Sequence, residues 1–165
     1  MAGPPVVMSS SLRPIVPLLT LIVGPSADSK SIAASKQDAS ARHDARRSYY
    51  ESLLQHAGTV TKLHSGRSTT SGPYLGGSSG FAGINLNYGV TQHGTSVIVW
   101  IERGPDWAAW NDTVYQYLLQ RRAEIEQAFG GPLVFEAKDT NRSRKLIWNM
   151  DLGGWSDPDD WPAVI

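Results

Sequence analysis

The chain has 165 residues, a length that fits one domain with a short extension. Hydrophobic side chains make up 41% of it, so a core of ordinary size is expected. Fifteen basic residues balance fifteen acidic ones, which argues against a globally basic nucleic-acid binder but is compatible with a locally basic face. The absence of cysteine excludes disulfides, thiolate metal sites and a cysteine nucleophile.

The first forty residues differ in composition from the rest of the chain. Residues 15–23 form an apolar run, interrupted by Pro17, that is shorter than the roughly 20 residues needed to span a bilayer. This run fits the hydrophobic region of a secretory signal without a clear cleavage site, a strand remnant of an upstream domain, or an incorrect translation start. Residues 26–40 have the Ser, Ala, Lys and Asp content of a linker. We therefore predict a poorly ordered segment over residues 1–40 and a folded domain over residues 41–165.

The first predicted helix lies at about residues 46–56. Its apolar residues recur at helical spacing and form one stripe, made of Tyr49, Tyr50, Leu53 and Leu54. Gly58 provides a plausible end to this helix. Residues 65–80 are polar and rich in glycine and serine, and they are predicted to form an ordered loop.

A β-hairpin is predicted next. Apolar and polar residues alternate over residues 84–90, the pattern of a half-buried strand, and residues 97–101 are a continuous β-rich run. The connection at residues 92–95 contains Gly94, which is suited to a positive φ.

The remaining elements complete the predicted architecture. A long helix is expected over residues 105–129, ended by Gly130 and Gly131, and residues 133–135 and 146–150 form a second strand pair. The fold class is therefore α+β, with an antiparallel sheet of two hairpins packed against the long helix and an additional N-terminal helix.

The end of the chain carries a helix start. Acidic residues and proline at 157–162 are typical of a first helical turn, and the chain stops at Ile165 about one turn later. A helix this short predicts a truncated gene product.

The order of three segments resembles that of the domain of unknown function 4268 family. They are residues 47–54 (RSYYESLL), 99–104 (VWIERG) and 123–133 (AEIEQAFGGPL). The resemblance spans about residues 41–165 and includes the closing Trp161-Pro162. It implies a bacterial, cytosolic setting and a DNA-related role, because members of the family often follow a nuclease-like domain of the restriction-endonuclease class. It implies no catalytic residues, and the first forty residues are too few to hold such a nuclease domain.

One tripeptide has the composition of a metal-dependent nuclease site. Glu136-Ala137-Lys138 follows a predicted strand, and Asp106 supplies the upstream carboxylate that Mg²⁺ binding also requires. Because Asp106 would begin the long helix and Glu136 follows its end, convergence of the two requires a favourable crossing. We therefore keep a small Mg²⁺-dependent nuclease as an alternative to the main hypothesis, which requires neither a metal nor another cofactor.

Two further patterns carry less weight. Residues 76–80 match the G-x-S-x-G motif of serine hydrolases, but a strand pattern follows it where the motif needs a helix, so a glycine loop is predicted instead. The four histidines show no metal-ligand spacing, and no metal site is predicted from them; they are His43, His56, His64 and His93.

Basic residues near the second hairpin and the long helix are candidates for contact with DNA phosphates. These candidates are Arg121, Arg122, Lys138, Arg142, Arg144 and Lys145, with Trp148 or Tyr74 as stacking partners for bases. Further positive charge that could share this face comes from Arg46, Arg47, Lys62 and Arg67. Trp100 and Trp148 are expected in the core, whereas a patch for docking on another protein is expected from Trp107, Trp110, Trp155 and Trp161. The leading hypothesis is a non-catalytic accessory domain that docks on a nuclease-like partner or on DNA. A remnant without independent function is the remaining alternative.

Overall fold

The computed structural model describes residues 27–165 and confirms an α+β fold with an antiparallel sheet. The α-helices are α1 (Ala27–Val60), α2 (Ala108–Leu119), α3 (Arg122–Phe129) and α4 (Trp161–Val164). The strands are β1 (Tyr74–Ser78), β2 (Ile84–Val90), β3 (Thr95–Ile101), β4 (Val134–Ala137) and β5 (Arg144–Met150). Short 3₁₀ helices at Pro105–Trp107 and Pro158–Asp160 precede α2 and α4. The apolar run at residues 15–23 lies outside the described residues.

The five strands form one sheet in the order β1-β2-β3-β5-β4, and each neighbouring pair is antiparallel. Strand β3 is central. In its register Ile101 lies opposite Ile84 and Arg144, and Trp100 lies opposite Asn85 and Lys145. Since side chains alternate across a strand, the register assigns Ile101 and Trp100 to opposite faces of the sheet.

One face of the sheet is covered by helices. Tyr49, Tyr50 and Leu53 of α1 pack with Leu75 and Val90 in one buried cluster. A second buried cluster joins α2 to the middle of the sheet through Tyr115, Ile101 and Leu146. The stripe predicted on the first helix is therefore a core stripe, and the tight Tyr49–Tyr50 ring contact, at 5.3 Å between centroids, adds to the burial.

Helix α1 begins well before the predicted domain boundary. Residues 27–40, which composition assigns to a linker, are helical. The side chains of residues 31–44 are exposed apart from a half-buried Ala39. Alanine, serine, lysine and glutamine allow a helix that is already nucleated by its packed C-terminal half to extend outward. Because this extension buries almost no side chains, it has no apolar stripe by which the sequence could have predicted a helix.

The long helix predicted over residues 105–129 is interrupted. Arg121 has φ −104° and ψ 17°, outside the helical region, and separates α2 from α3. The sequence has neither proline nor glycine at this break. After it, Arg122 Nη2 donates to the carbonyl of Leu133 at 3.1 Å, and Glu126 Oε1 accepts from the Leu133 amide at 2.7 Å. These bonds attach α3 to the chain entering β4.

Strand β1 lies in the stretch that was predicted to be a loop. Its residues Gly76 and Gly77 pair with Asn87 and Leu86 of β2. Glycine has low intrinsic strand propensity, so pairing with β2 rather than local preference makes this segment a strand. The G-x-S-x-G match thus starts within a strand and is followed by another strand, the wrong context for a serine nucleophile.

The turn between β2 and β3 was correctly placed, but the reason for its glycine was wrong. Gly94 does not have a positive φ. A Cβ atom at Gly94 would lie 2.8 Å from the carbonyl oxygen of Met150, so close approach of β5's end requires a glycine there.

Within residues 27–165, no helix combines the length and the apolar character that crossing a membrane requires.

Gly77→Ala should destabilise the protein by about 1–3 kcal/mol, because the new methyl group overpacks a filled site. The added Cβ would lie 2.5 Å from Cε1 of His64, a residue that is 6% exposed and whose ring centroid lies 4.7 Å from that of Tyr88. Urea denaturation measures the effect. Gly58→Ala in α1 is the matched control, since its Cβ meets nothing within 4 Å. Equal stability of the two variants would contradict the packing described here.

The free energy of unfolding should fall as pH drops below about 6.5 because of His64. Burial, assisted by the charge of Arg67, lowers the pKa of His64 from its ordinary value of 6.5. The unfolded chain therefore takes up this proton at a higher pH than the folded protein does. His64→Gln should flatten the stability profile between about pH 6.5 and pH 5, measured by urea denaturation, while the exposed His56→Gln should not.

The carboxylates whose pKa values are lowered affect stability in a more acidic pH range than His64 does. Arg142 lowers the pKa of Glu102 and Lys138 lowers that of Glu136, in both cases from 4.5. Stability from these groups is present above their ordinary pKa and is lost at more acidic pH. If the free energy of unfolding of His64→Gln depended on pH above pH 5 as steeply as that of the unaltered protein, His64 could not be the source of this dependence.

Candidate functional site

The sheet face opposite the helices, called the open face below, carries polar and aromatic side chains. By strand alternation it includes Tyr74, Gly76, Asn85, Asn87, Ile98, Trp100, Glu136, Lys145 and Ile147. Tyr74 is 47% exposed, whereas Ile98 is buried between its register neighbours Asn87 and Ile147. The open face therefore has a buried apolar residue among its polar side chains.

Trp100 occupies the centre of the open face. Its ring lies edge-on to that of Tyr74, with 6.0 Å between centroids and an interplanar angle of 80°. Lys145 Nζ lies 4.2 Å from its ring centroid, and its indole N–H points to Glu102 Oε2 at 3.4 Å. The expectation that Trp100 belongs to the core was wrong. A continuous apolar run such as residues 97–101 does not show which side chains face the helices.

Trp100 is shared by two adjoining grooves. The larger has a volume of about 570 Å³, and its lining includes Arg67, Tyr74, Asn85, Asn87, Trp100, Glu102 and Arg103. The other, of about 510 Å³, is lined by Trp100, Glu102, Lys145 and the turn residues 140–143. Glu102 also belongs to both grooves, so together they form one continuous depression across the open face.

Both carboxylates at this surface are engaged by basic side chains. Arg142 Nε donates to Glu102 Oε1 at 2.5 Å. Glu136 is 3.1 Å from Lys138 Nζ and 3.7 Å from Lys145 Nζ. The hydrogen bond from Arg142 is the main reason that the pKa of Glu102 is lowered, and the one from Lys138 has this effect on Glu136. Both carboxyl groups are therefore ionised at neutral pH, and their negative charges are offset by the neighbouring basic side chains.

Two arginines at the larger groove have no acidic partner. Within residues 27–165, neither Arg67 nor Arg103 forms an ion pair. The Arg103 guanidinium lies 3.8 Å from the ring centroid of Trp107 and 5.3 Å from that of Trp110. These cation–π contacts orient Arg103 without cancelling its charge, which leaves it available to an anionic ligand.

Asn111 of α2 fixes the walls of the depression. It is fully buried, its Oδ1 accepts from the Arg103 amide at 3.1 Å, and its Nδ2 donates to the Arg142 carbonyl at 3.0 Å. One side chain thus joins the chain leaving β3 to the turn before β5. The backbones that carry Arg103 and Arg142 are therefore held in a fixed relation.

The six predicted phosphate contacts are not all on one surface. Lys138, Arg142 and Lys145 lie beside Glu136 or the smaller groove of the open face. Arg144 is on the helix-covered face, with its side chain 12% exposed and paired to Asp112.

The other two candidates belong to the helices. Arg121 stacks on Tyr117, with 3.7 Å from the guanidinium carbon to the ring centroid, and Arg122 pairs with Glu126 at 3.0 Å. Sequence reasoning included Arg67 only as one of several further positive charges, and it missed Arg103. The alternation of Asn85 and Asn87 with apolar residues does mark a polar sheet face, and it is the one signal that points to them.

The predicted nuclease residues come together only in part. Glu136 and Lys138 form an ion pair at the end of β4. Asp106 is exposed in the 3₁₀ turn before α2. All three lie in the described part of the chain, where no hydrogen bond or ion pair joins Asp106 to the other two. Nor do residues 27–165 contain a group of three or more His, Asp or Glu side chains arranged to hold a metal ion.

A serine, a histidine and an aspartate meet elsewhere, which the sequence did not indicate. Ser156 Oγ and Asp157 Oδ2 each lie 3.1 Å from Nδ1 of His93. A catalytic relay needs the serine and the acid on different ring nitrogens. Ser156 Oγ also donates to the Gln92 carbonyl at 2.7 Å, so the group fastens the C-terminal loop to the β2–β3 turn.

The four tryptophans expected to form one docking patch are divided between two places. Trp110 packs against the cluster of Ile101 and Tyr115, and Trp107 lies under Arg103. Trp155 and Trp161 pack against the cluster formed by α1 and the sheet. The expected single patch was therefore wrong, because Trp110, Trp155 and Trp161 pack against two different parts of the core, and Trp107 is 43% exposed beside Arg103.

Asn111→Ala should destabilise the protein by roughly 1–3 kcal/mol, since it leaves the Arg103 amide and the Arg142 carbonyl without their partner. Thermal or urea denaturation measures this. Thr113→Ala is the control on the same helix, because its hydroxyl bonds only the carbonyl of Ala109 at an exposed position, and it should change stability by less than about 0.5 kcal/mol. A similar loss of stability in both variants would show that Asn111 does not hold these two backbone segments together.

Comparison with known proteins places the chain in a family. Searches of curated proteins and of solved structures find no match to it. The family model described as "Domain of unknown function (DUF4268)" matches residues 45–165, which is well over half of the chain. This agrees with the resemblance seen in the segments around Tyr49, Trp100 and Phe129. The chain is therefore a member of the DUF4268 family.

Proposed function

We propose that this domain is a non-catalytic accessory domain that binds DNA through its open face. The strongest support is that one open groove is lined both by two cations without an ion pair, Arg67 and Arg103, and by the aromatic rings of Tyr74 and Trp100. Guanidinium groups bind phosphate oxygens, and aromatic rings stack on bases.

The charge at this surface favours a polyanion although the whole chain is neutral. Five basic residues lie at or beside the depression, and two acidic residues oppose them, which leaves an excess of three positive charges. The basic residues are Arg67, Arg103, Lys138, Arg142 and Lys145, and the acidic ones are Glu102 and Glu136. Counterion release from DNA would give such a surface salt-sensitive affinity.

The non-catalytic assignment is supported by the state of the carboxylates. Glu102 and Glu136 are both engaged by basic side chains, and no hydrogen bond or ion pair joins Asp106 to Glu136. A Mg²⁺ ion would have to displace Lys138 and Lys145 from Glu136. The family resemblance implies a nuclease-like partner in the bacterial cytoplasm. In this proposal the domain holds DNA while that partner carries out the chemistry.

The purified protein should bind labelled DNA at low salt, with affinity that falls as salt rises. Arg103→Ala should weaken binding and reduce the slope of log affinity against log salt by about one, as expected for the loss of one phosphate contact. Fluorescence anisotropy over a salt series measures both. Arg121→Ala, which removes a cation from the helices, is the matched control and should leave the slope unchanged.

A complete lack of DNA binding at low salt would contradict the proposal and leave docking on a protein as the function to test. A loss that is equal for Arg103→Ala and Arg121→Ala would contradict the assignment of the open face.

Incubation with DNA and Mg²⁺ or Mn²⁺ should produce no cleavage. The nuclease alternative predicts cutting that disappears in Glu136→Gln but persists in Glu124→Gln, which changes a carboxylate on α3. Observation of that pattern would make this protein an enzyme and overturn the non-catalytic proposal.

A further inference from the structure

The larger groove presents side chains whose charges or amide groups have no ion-pair or hydrogen-bond partner within residues 27–165. Arg67 and Arg103 make no ion pair, and the amide groups of Asn85 and Asn87 make no hydrogen bond, to any residue from 27 to 165. An amide side chain offers two donors and one acceptor oxygen. The groove therefore combines free cations with free amides, next to the ring of Tyr74.

The ring of Tyr74 lies against the backbone of its neighbouring strand. Tyr74 pairs with Gly89 in the β1–β2 register. A Cβ atom at Gly89 would stand 3.2 Å from Cε1 and 3.3 Å from Cδ1 of Tyr74, so the absence of a side chain there leaves room for the ring. Trp100 supports the ring from the side, and 47% of Tyr74 stays exposed. This is a supported aromatic surface that faces solvent.

We infer that the open face selects single-stranded DNA, with an unpaired base stacked on Tyr74 and the adjacent phosphates held by Arg67 and Arg103. This inference rests on the proposed function. In a duplex the faces of the bases are covered by their neighbours, so Tyr74 would have no base to stack on. The pairing edges are also occupied, which leaves Asn85 and Asn87 only the base edges in the grooves. Unpaired bases offer both a face for stacking and an edge for hydrogen bonds.

The arrangement of the groove fits one strand. Arg67 lies in the segment between α1 and β1, and Arg103 lies beyond the end of β3, so the two cations come from different elements that line the same groove. Tyr74, Asn85, Asn87 and Trp100 lie on β1, β2 and β3, which separate the two arginines in sequence, and they line the same groove. A strand bound by both arginines in this groove would have these side chains within reach of its bases.

Binding of an oligothymidylate of about 12 nucleotides, a length within the site size of small single-strand binding domains, should be compared with a hairpin duplex of equal charge. The single strand should bind more tightly. Tyr74→Ala should weaken single-strand binding roughly tenfold or more and leave duplex binding unchanged. Tyr74→Phe keeps the ring and should bind like the unaltered protein.

Tyr117→Ala is the matched control, because Tyr117 is an equally exposed tyrosine, at 53%, on α2. It should not change binding, and thermal unfolding of each variant checks that the fold is intact. Equal affinity for single strand and duplex, or no effect of Tyr74→Ala, would overturn the inference. If Arg103→Ala still weakened binding in that case, the proposed function would stand, whereas no binding to either probe would overturn both.

Discussion

The register of the central strand β3 determines how the two sides of this domain are used. Ile101 packs under α2 with Tyr115, while Trp100, one residue earlier, lies in the open depression. A shift of pairing by one residue would exchange these two side chains between core and surface. Burial of Ile101 excludes that shift, so the same hydrophobic contacts that stabilise the fold also present Trp100 to solvent.

The polar contacts around this register convert a sheet face into a defined site. Asn111 joins the segments that carry Arg103 and Arg142, and the ion pairs of Glu102 and Glu136 offset the acidic charge at the surface. Arg67 and Arg103 line the same groove as Tyr74 and Trp100 without an ion pair, whereas Lys145, 4.2 Å from the Trp100 ring, is paired with Glu136. A neutral chain thereby acquires a locally basic, aromatic surface, so its overall charge does not describe the charge of this face.

Much of the fold could be predicted from the sequence because the apolar patterns that mark its helices and strands involve residues close together in the chain. Alternation over residues 84–90 identified β2, and the Tyr49–Leu53 stripe identified the packed part of α1. Strand β1 could not be predicted in this way, since its glycines become a strand only through pairing with β2. The site was predicted in part: Lys138, Arg142 and Lys145 cluster near one turn in sequence, whereas Arg67 and Arg103 are brought together only by the sheet.

The most direct test of the account is an NMR titration of isotope-labelled protein with single-stranded DNA, because it identifies the contact surface without any substitution. The account predicts that the indole N–H signal of Trp100 and the side-chain amide signals of Asn85 and Asn87 shift together, while signals from Tyr117 and its neighbours on α2 stay in place. Shifts confined to the helix-covered side, or no shifts at DNA concentrations that saturate binding, would contradict the assignment of the open face as the functional surface.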